Sequence, residues 1–157
     1  MTIRMKNSIE LKQHLFNDCS QFVEKRLKII KNTIHDIQES FDSETKSSAG
    51  DKHETGRAML QIDLEKALYQ LSEIQKIKDI LRMVDVNKSS ETVRLGSVVF
   101  TSKSNYFIAI SAGNISIKDQ QFYAIATDTP IGMLLMGKKV GDECVFRDKI
   151  FTITELI

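Results

Sequence analysis

The stretch Ser47-Ser48-Ala49-Gly50-Asp51-Lys52-His53-Glu54-Thr55-Gly56-Arg57 divides a long helical half of the chain into two arms. Upstream of it, Val23, Leu27, Ile30, Ile34, Ile37 and Phe41 recur in alternating four- and three-residue steps, the seam of a coiled coil. Phe16 and Cys19 extend that seam toward the N-terminus with one slip in register. Downstream, Leu60, Leu64, Ala67, Leu71, Ile74, Ile77, Leu81 and Val84 form a second stripe. Two long amphipathic helices joined by a polar break over 42–53 are expected to pair antiparallel. With about 30 residues per arm, the pair reaches roughly 45 Å. Two helices alone bury little apolar surface per residue, so core-building is a poor reason for such length.

The break itself carries two carboxylates. If residue 51 opens the returning helix, Asp51 and Glu54 share one face, with β-carbons roughly 5–6 Å apart. The spacing is that of a capping box, in which both acids suit the positive end of the helix dipole. Such spacing marks a cap far more often than a metal site, but it also suits a hard cation such as Mg²⁺, which takes one or two protein carboxylates together with water and phosphate oxygens. The two roles are compatible, and residues 51–54 alone do not choose between them.

Beyond about residue 93 the hydrophobic period changes from helical to β. Gly96–Thr101, Tyr106–Ile110 and Phe122–Ala126 are β-branched or aromatic runs between polar turns, and Ile115 with Ile117 marks another short strand. Pro130 leads Ile131-Gly132-Met133-Leu134-Leu135-Met136 as a short helix capped by Thr129 and stopped at Gly137. Val145-Phe146 and Ile150–Ile153 close a hairpin across Arg147-Asp148-Lys149. The expected fold is therefore α+β: a helical hairpin over 1–88, its tip near 42–54, then a small antiparallel sheet with one helix over 93–157. Asn87-Lys88-Ser89-Ser90-Glu91 reads as the linker.

The 157 residues carry 22 basic and 21 acidic side chains, so a net charge of +1 argues against wholesale polyanion binding and leaves nucleic-acid contact to local charge. The run Lys25, Arg26, Lys28 and Lys31 is one such place, either a solvated flank or a phosphate-tracking stripe. No apolar stretch approaches ~18 residues, and the N-terminus shows no secretory pattern, so a cytoplasmic protein without a membrane span is expected. Cys19 and Cys144 match no metal spacing, and the three histidines are scattered, which points away from a zinc site.

Taken in order, the two halves resemble the bacterial Gre (GreA/GreB) transcription elongation factors, in which a coiled-coil hairpin precedes an FKBP-like domain. Gly50-Asp51-x-x-Glu54 matches the family's tip motif. Thr129-Pro130-Ile131-Gly132, Gly137-Lys138-Lys139 and Val140-Gly141-Asp142 follow its C-terminal pattern. The resemblance implies a monomer that binds RNA polymerase and inserts the hairpin into the secondary channel. There it stimulates cleavage of backtracked RNA without being an enzyme itself. By the same resemblance, Asp51 and Glu54 assist catalysis by holding a Mg²⁺ shared with the polymerase. The resemblance also implies that Asp128, Thr129, Pro130 and Ile131 contact the polymerase, whereas His53 and Arg57 are candidates for contact with the nascent RNA 3′ end by their position beside the acids, where Arg57 could instead weaken cation binding. Thr55-Gly56-Arg57 departs from the family, which has Asn-Ala and an acidic residue there. A Gre-like channel-binding regulator or inhibitor without cleavage stimulation is the alternative. A prolyl isomerase and a purely structural coiled-coil adaptor are the remaining function classes.

Overall fold

The computed structural model describes residues 3–46 and 50–157, and among these the side chains of 7–44 and 54–157. Two long helices, α1 (Ile3–Lys46) and α2 (Gly50–Arg82), precede six strands and one short helix, so the chain is α+β. The strands are β1 (Val98–Thr101), β2 (Asn105–Ala109), β3 (Gly113–Ile117), β4 (Gln120–Ala126), β5 (Glu143–Phe146) and β6 (Lys149–Leu156), with α3 (Pro130–Leu135) between β4 and β5. The contacts group Met1–Phe22 with Asp79–Ile157 as one unit and Val23–Lys78 as another.

Within Val23–Lys78, α1 and α2 run antiparallel. Lys78 Nζ lies 2.8 Å from Glu24 Oε1, and a β-carbon placed on Gly56 would meet the Glu44 carboxylate at 2.8 Å. Pairing 24 with 78 and 44 with 56 centres the fold-back on positions 50–51. The helices are longer than the hydrophobic stripes alone suggest. Instead of a break spanning 42–53, α1 continues to Lys46 and α2 begins at Gly50. Polar residues such as Asp42, Ser43 and Glu44 continue the helix because good backbone hydrogen bonding needs no apolar face. Val23, Leu27, Ile30, Ala67 and Ile74 are buried along the seam, whereas Ile34, Ile37, Phe41, Leu60 and Leu64 are only half-buried. Burial thins toward the bend because two helices cannot enclose a side chain on every side.

In the other unit, the α1 seam runs through Leu15 and Cys19, both 0% exposed, and Leu15 displaces the expected Phe16, which is half-buried. The buried positions 15, 19, 23 and 27 step by four residues each, so this stretch departs further from the alternating four- and three-residue seam than the slip expected at Phe16. The sheet order is β3-β4-β2-β1-β6-β5. It departs from the expected antiparallel sheet at one place, where β2 and β4 pair in parallel from Asn105↔Phe122 to Ala109↔Ala126. β6 divides its partners: Lys149–Thr152 pair with β5, and the following residues to Leu156 pair with β1 across a register shift at Phe100/Thr101.

Both sheet faces are buried near the middle. Val99, Ile108, Leu135, Cys144, Phe151 and Ile153 pack with Val93, which clips to the segment after α3 through Val93 N to Lys138 O (2.8 Å) and Gly137 N to Val93 O (2.9 Å). Val98, Phe107 and Phe122 bury on the opposite side, with Phe122 edge-on to Phe100 at 5.8 Å. The two-residue turns at Lys118-Asp119 and Arg147-Asp148 hold both residues at positive φ. Such mirror-image turns match the strand twist at a steric cost to non-glycine residues. No described helix is long and apolar enough to cross a membrane.

Candidate functional site

Two regions hold the residues singled out from the sequence, one in each unit. In the first, α2 starts at Gly50, so Asp51 lies inside the first helical turn and is not the capping residue ahead of it. The capping-box reading therefore loses its cap, although a carboxylate in this turn still suits the helix dipole. Positions 51 and 54 are three apart in one continuous helix and share a face. The side chains of Asp51 and His53 lie outside the described residues. Glu54 and Arg57 are exposed and again three apart, so the face that begins with the acids continues into a guanidinium. Gly56 has a role that the sequence hides. The Glu44 carboxylate comes within 2.8–2.9 Å of where a β-carbon would stand, so glycine lets an acid of α1 lie against the backbone of α2. The acidic character near the fold-back thus draws on both arms. Among the described residues, no three His, Cys, Asp or Glu side chains gather as a metal cluster. The basic residues Lys25, Arg26, Lys28 and Lys31 are all exposed on α1.

The second region is the entrance to α3. Thr129 has an extended backbone, and its hydroxyl accepts from Gly132 N at 3.1 Å while donating to Ala126 O at 2.8 Å. Pro130 follows at the first helical position, where a missing N–H costs nothing. Gly132 is required by space: a β-carbon there would stand 2.2 Å from Ala126 O and 2.8 Å from Thr129 Oγ1. The four residues over 128–131 are thus brought together with divided duties. Asp128 and Pro130 are exposed. Thr129 is occupied by the cap, and Ile131 packs against the core that includes Leu135. Met133, one turn beyond Pro130, is 62% exposed and extends the same accessible surface. Sequence reasoning assigned it to the helix without seeing this, though its position three residues after Pro130 was a usable signal.

Sequence reasoning also passed over Lys12, which is 3% exposed. Its Nζ donates to Lys88 O at 2.7 Å. Burial pushes the Lys12 pKa below its ordinary value, and the nearby Asp85 carboxylate opposes that shift. The available signal was phase: position 12 is three residues before Leu15, on the line of the seam, where a charge is out of place. Lys12 and Asp85 belong to the same unit as α3.

No protein-family model, curated protein or solved structure matches the chain.

Proposed function

We propose that this protein is a monomeric RNA polymerase factor that works through the enzyme's secondary channel and stimulates cleavage of backtracked RNA. One observation carries the reading: the α1–α2 pair is antiparallel, with Glu24 beside Lys78 and Glu44 beside Gly56, and α2 begins at Gly50, so Asp51 and Glu54 stand in the opening turns of the returning helix. A two-helix arm is narrow enough for a channel, and an acidic turn is the chemistry that a polymerase metal accepts. The resemblance to Gre factors supplies the partner.

The donor set fits a shared Mg²⁺ better than a resident one, since two carboxylates leave most of an octahedral shell to water, RNA phosphate and polymerase ligands. When bound, Mg²⁺ lowers the pKa of an attacking water and stabilises the displaced oxygens. In this reading Asp51 and Glu54 present their oxygens from one helical face, and helix rigidity sets their spacing. His53 and Arg57 meet the RNA 3′ end, Arg57 through phosphate. The loop of Asp128, Thr129, Pro130 and Ile131 docks on the polymerase, with Asp128 and Pro130 exposed for contact and Thr129 and Ile131 fixing their position. Exposed Lys25, Arg26, Lys28 and Lys31 give the contact its salt dependence.

A second reading has the same channel occupied without cleavage. It is favoured by Arg57, an exposed positive charge three residues after Glu54 on the same helix, which offsets the field that attracts a cation. A halted, backtracked elongation complex separates the two. RNA shortening on addition of the protein, lost in Asp51→Ala and Glu54→Ala, supports stimulation. Polymerase binding with unchanged RNA length supports occupancy alone, and absence of polymerase binding removes both. The purified protein without polymerase is expected to leave RNA intact in Mg²⁺.

A further inference from the structure

Among the described residues, the two buried polar side chains are Lys12 and Ser97, 3% and 4% exposed, and both line one cavity of about 240 Å³. Their hydrogen-bonding capacity is only partly used. An ammonium has three donors, and Lys88 O takes one of them. Ser97 Oγ accepts from Arg94 N at 2.9 Å, and no acceptor for its own O–H is found among the described residues. Both side chains therefore have donors to offer a ligand rich in lone pairs at this wall.

The surrounding charge narrows the class of partner. Lys88 and Arg94 join Lys12 on the cavity lining, and Asp85 is the one carboxylate among them. Asp85 Oδ1 is itself engaged by Asn87 N at 3.0 Å. Three cations against one carboxylate leave an excess of positive charge in a half-enclosed space. Water would satisfy the donors but not the charge, and a neutral amide would do no better. The Ser90 hydroxyl lines the same cavity and adds a further polar contact. Gly96, at φ +91°, gives the backbone the turn that brings Arg94 and Ser97 to this wall.

The geometry points to a binding site for a phosphate group, held by the Lys12 ammonium and the Ser97 hydroxyl inside and by Arg94 and Lys88 at the rim. A tetrahedral dianion offers the several acceptor oxygens and the double charge that these donors call for. The site lies wholly within the unit formed by Met1–Phe22 and Asp79–Ile157. It does not rest on the channel-factor reading and survives that reading's failure.

The test uses the full chain and two probes, inorganic phosphate and glycerol phosphate, against chloride at matched ionic strength. Backbone amide NMR shifts of Arg94 and Ser97 are followed. Saturable shifts with either phosphate, absent in chloride, are expected. Saturation by inorganic phosphate alone would mark a site for the free ion, and saturation by both a site that also accepts an ester. Lys12→Met is expected to weaken binding at least tenfold, since a charge-assisted bond is lost without an equivalent. Arg94→Gln, at an exposed position, is expected to weaken it about threefold or more with the fold intact. Shifts that grow linearly and equally in chloride would overturn the proposal. So would unchanged affinity in a folded Lys12→Met or Arg94→Gln protein.

Discussion

Gly132→Ala is a sharp test of how the α3 entrance is built. The added methyl would stand 2.2 Å from Ala126 O and 2.8 Å from Thr129 Oγ1, closer than such atoms approach. Relief requires the loop to move by about 1 Å, an overpacking cost of about 1–3 kcal/mol. The same movement pulls Thr129 away from its acceptor role at Gly132 N, and loss of a cap costs about 1 kcal/mol. Alanine gains about 1 kcal/mol in helix propensity over glycine, which offsets part of this. Net destabilisation of about 1–3 kcal/mol is expected, a fall in Tm of roughly 2–12 °C for a protein of this size. Urea unfolding is followed by tyrosine fluorescence, to which Tyr106 in β2 and Tyr123 in β4 contribute beside Tyr69 of α2, with no tryptophan in the chain to mask them. A double-mutant cycle with Thr129→Ala adds a stricter condition. If the methyl already breaks the cap, the second substitution costs little more, and the two effects are strongly non-additive. A Gly132→Ala protein within about 0.5 kcal/mol of the parent would refute the close-approach explanation, because that is no more than an ordinary surface change costs. Simple additivity would refute the shared mechanism.

Two further outcomes are expected from the helical half. Gly56→Ala displaces only the far end of the Glu44 side chain, so the helix-propensity gain should dominate and stability should rise by about 0.5 kcal/mol. A drop of more than about 1 kcal/mol in thermal unfolding by circular dichroism would mean that Glu44 is fixed against α2 and cannot move aside. Burial, reinforced by Asp18, pushes the Cys19 thiol from 9.0 up to about 12. The fold therefore favours the neutral thiol, and this contribution is complete below pH 9 and lost as pH rises toward 12. Against Cys19→Ala, the parent should lose stability faster across that window, and native Cys19 should resist alkylation at pH 8 until the protein opens. Labelling as fast in buffer as in urea would contradict the burial.

Much of the architecture was legible because it is periodic. Val23, Leu27 and Ile30 on α1, and Ala67, Ile74 and Leu81 on α2, are buried where the stepping put them. The α3 entrance was legible because Thr129 and Pro130 each have a strong positional preference. What stayed hidden depends on atoms far apart in sequence. Asn105–Ala109 and Gln120–Ala126 alternate alike whether paired parallel or antiparallel, so the sense of that pairing leaves no mark on either run. In sequence, Gly132 is a residue of the short helix and Gly56 a departure from the Gre pattern. Only the approach of Ala126 O and of Glu44 reveals why each is glycine. Lys12 is a charge in phase with Leu15 and Cys19, and its burial depends on the Lys88 carbonyl, far along the chain. Of the candidate acids, the sequence placed Asp51 and Glu54 at the fold-back, whereas Glu44 from the opposite arm required coordinates.

The divided pairing of β6 has a bearing on how the protein is made. During synthesis Val98-Val99-Phe100 emerges long before the strand that will cover one of its flanks, which is separated from it by most of the globular half. In that interval a short, greasy ladder stands open to any neighbouring chain, the situation in which edge pairing leads to aggregation.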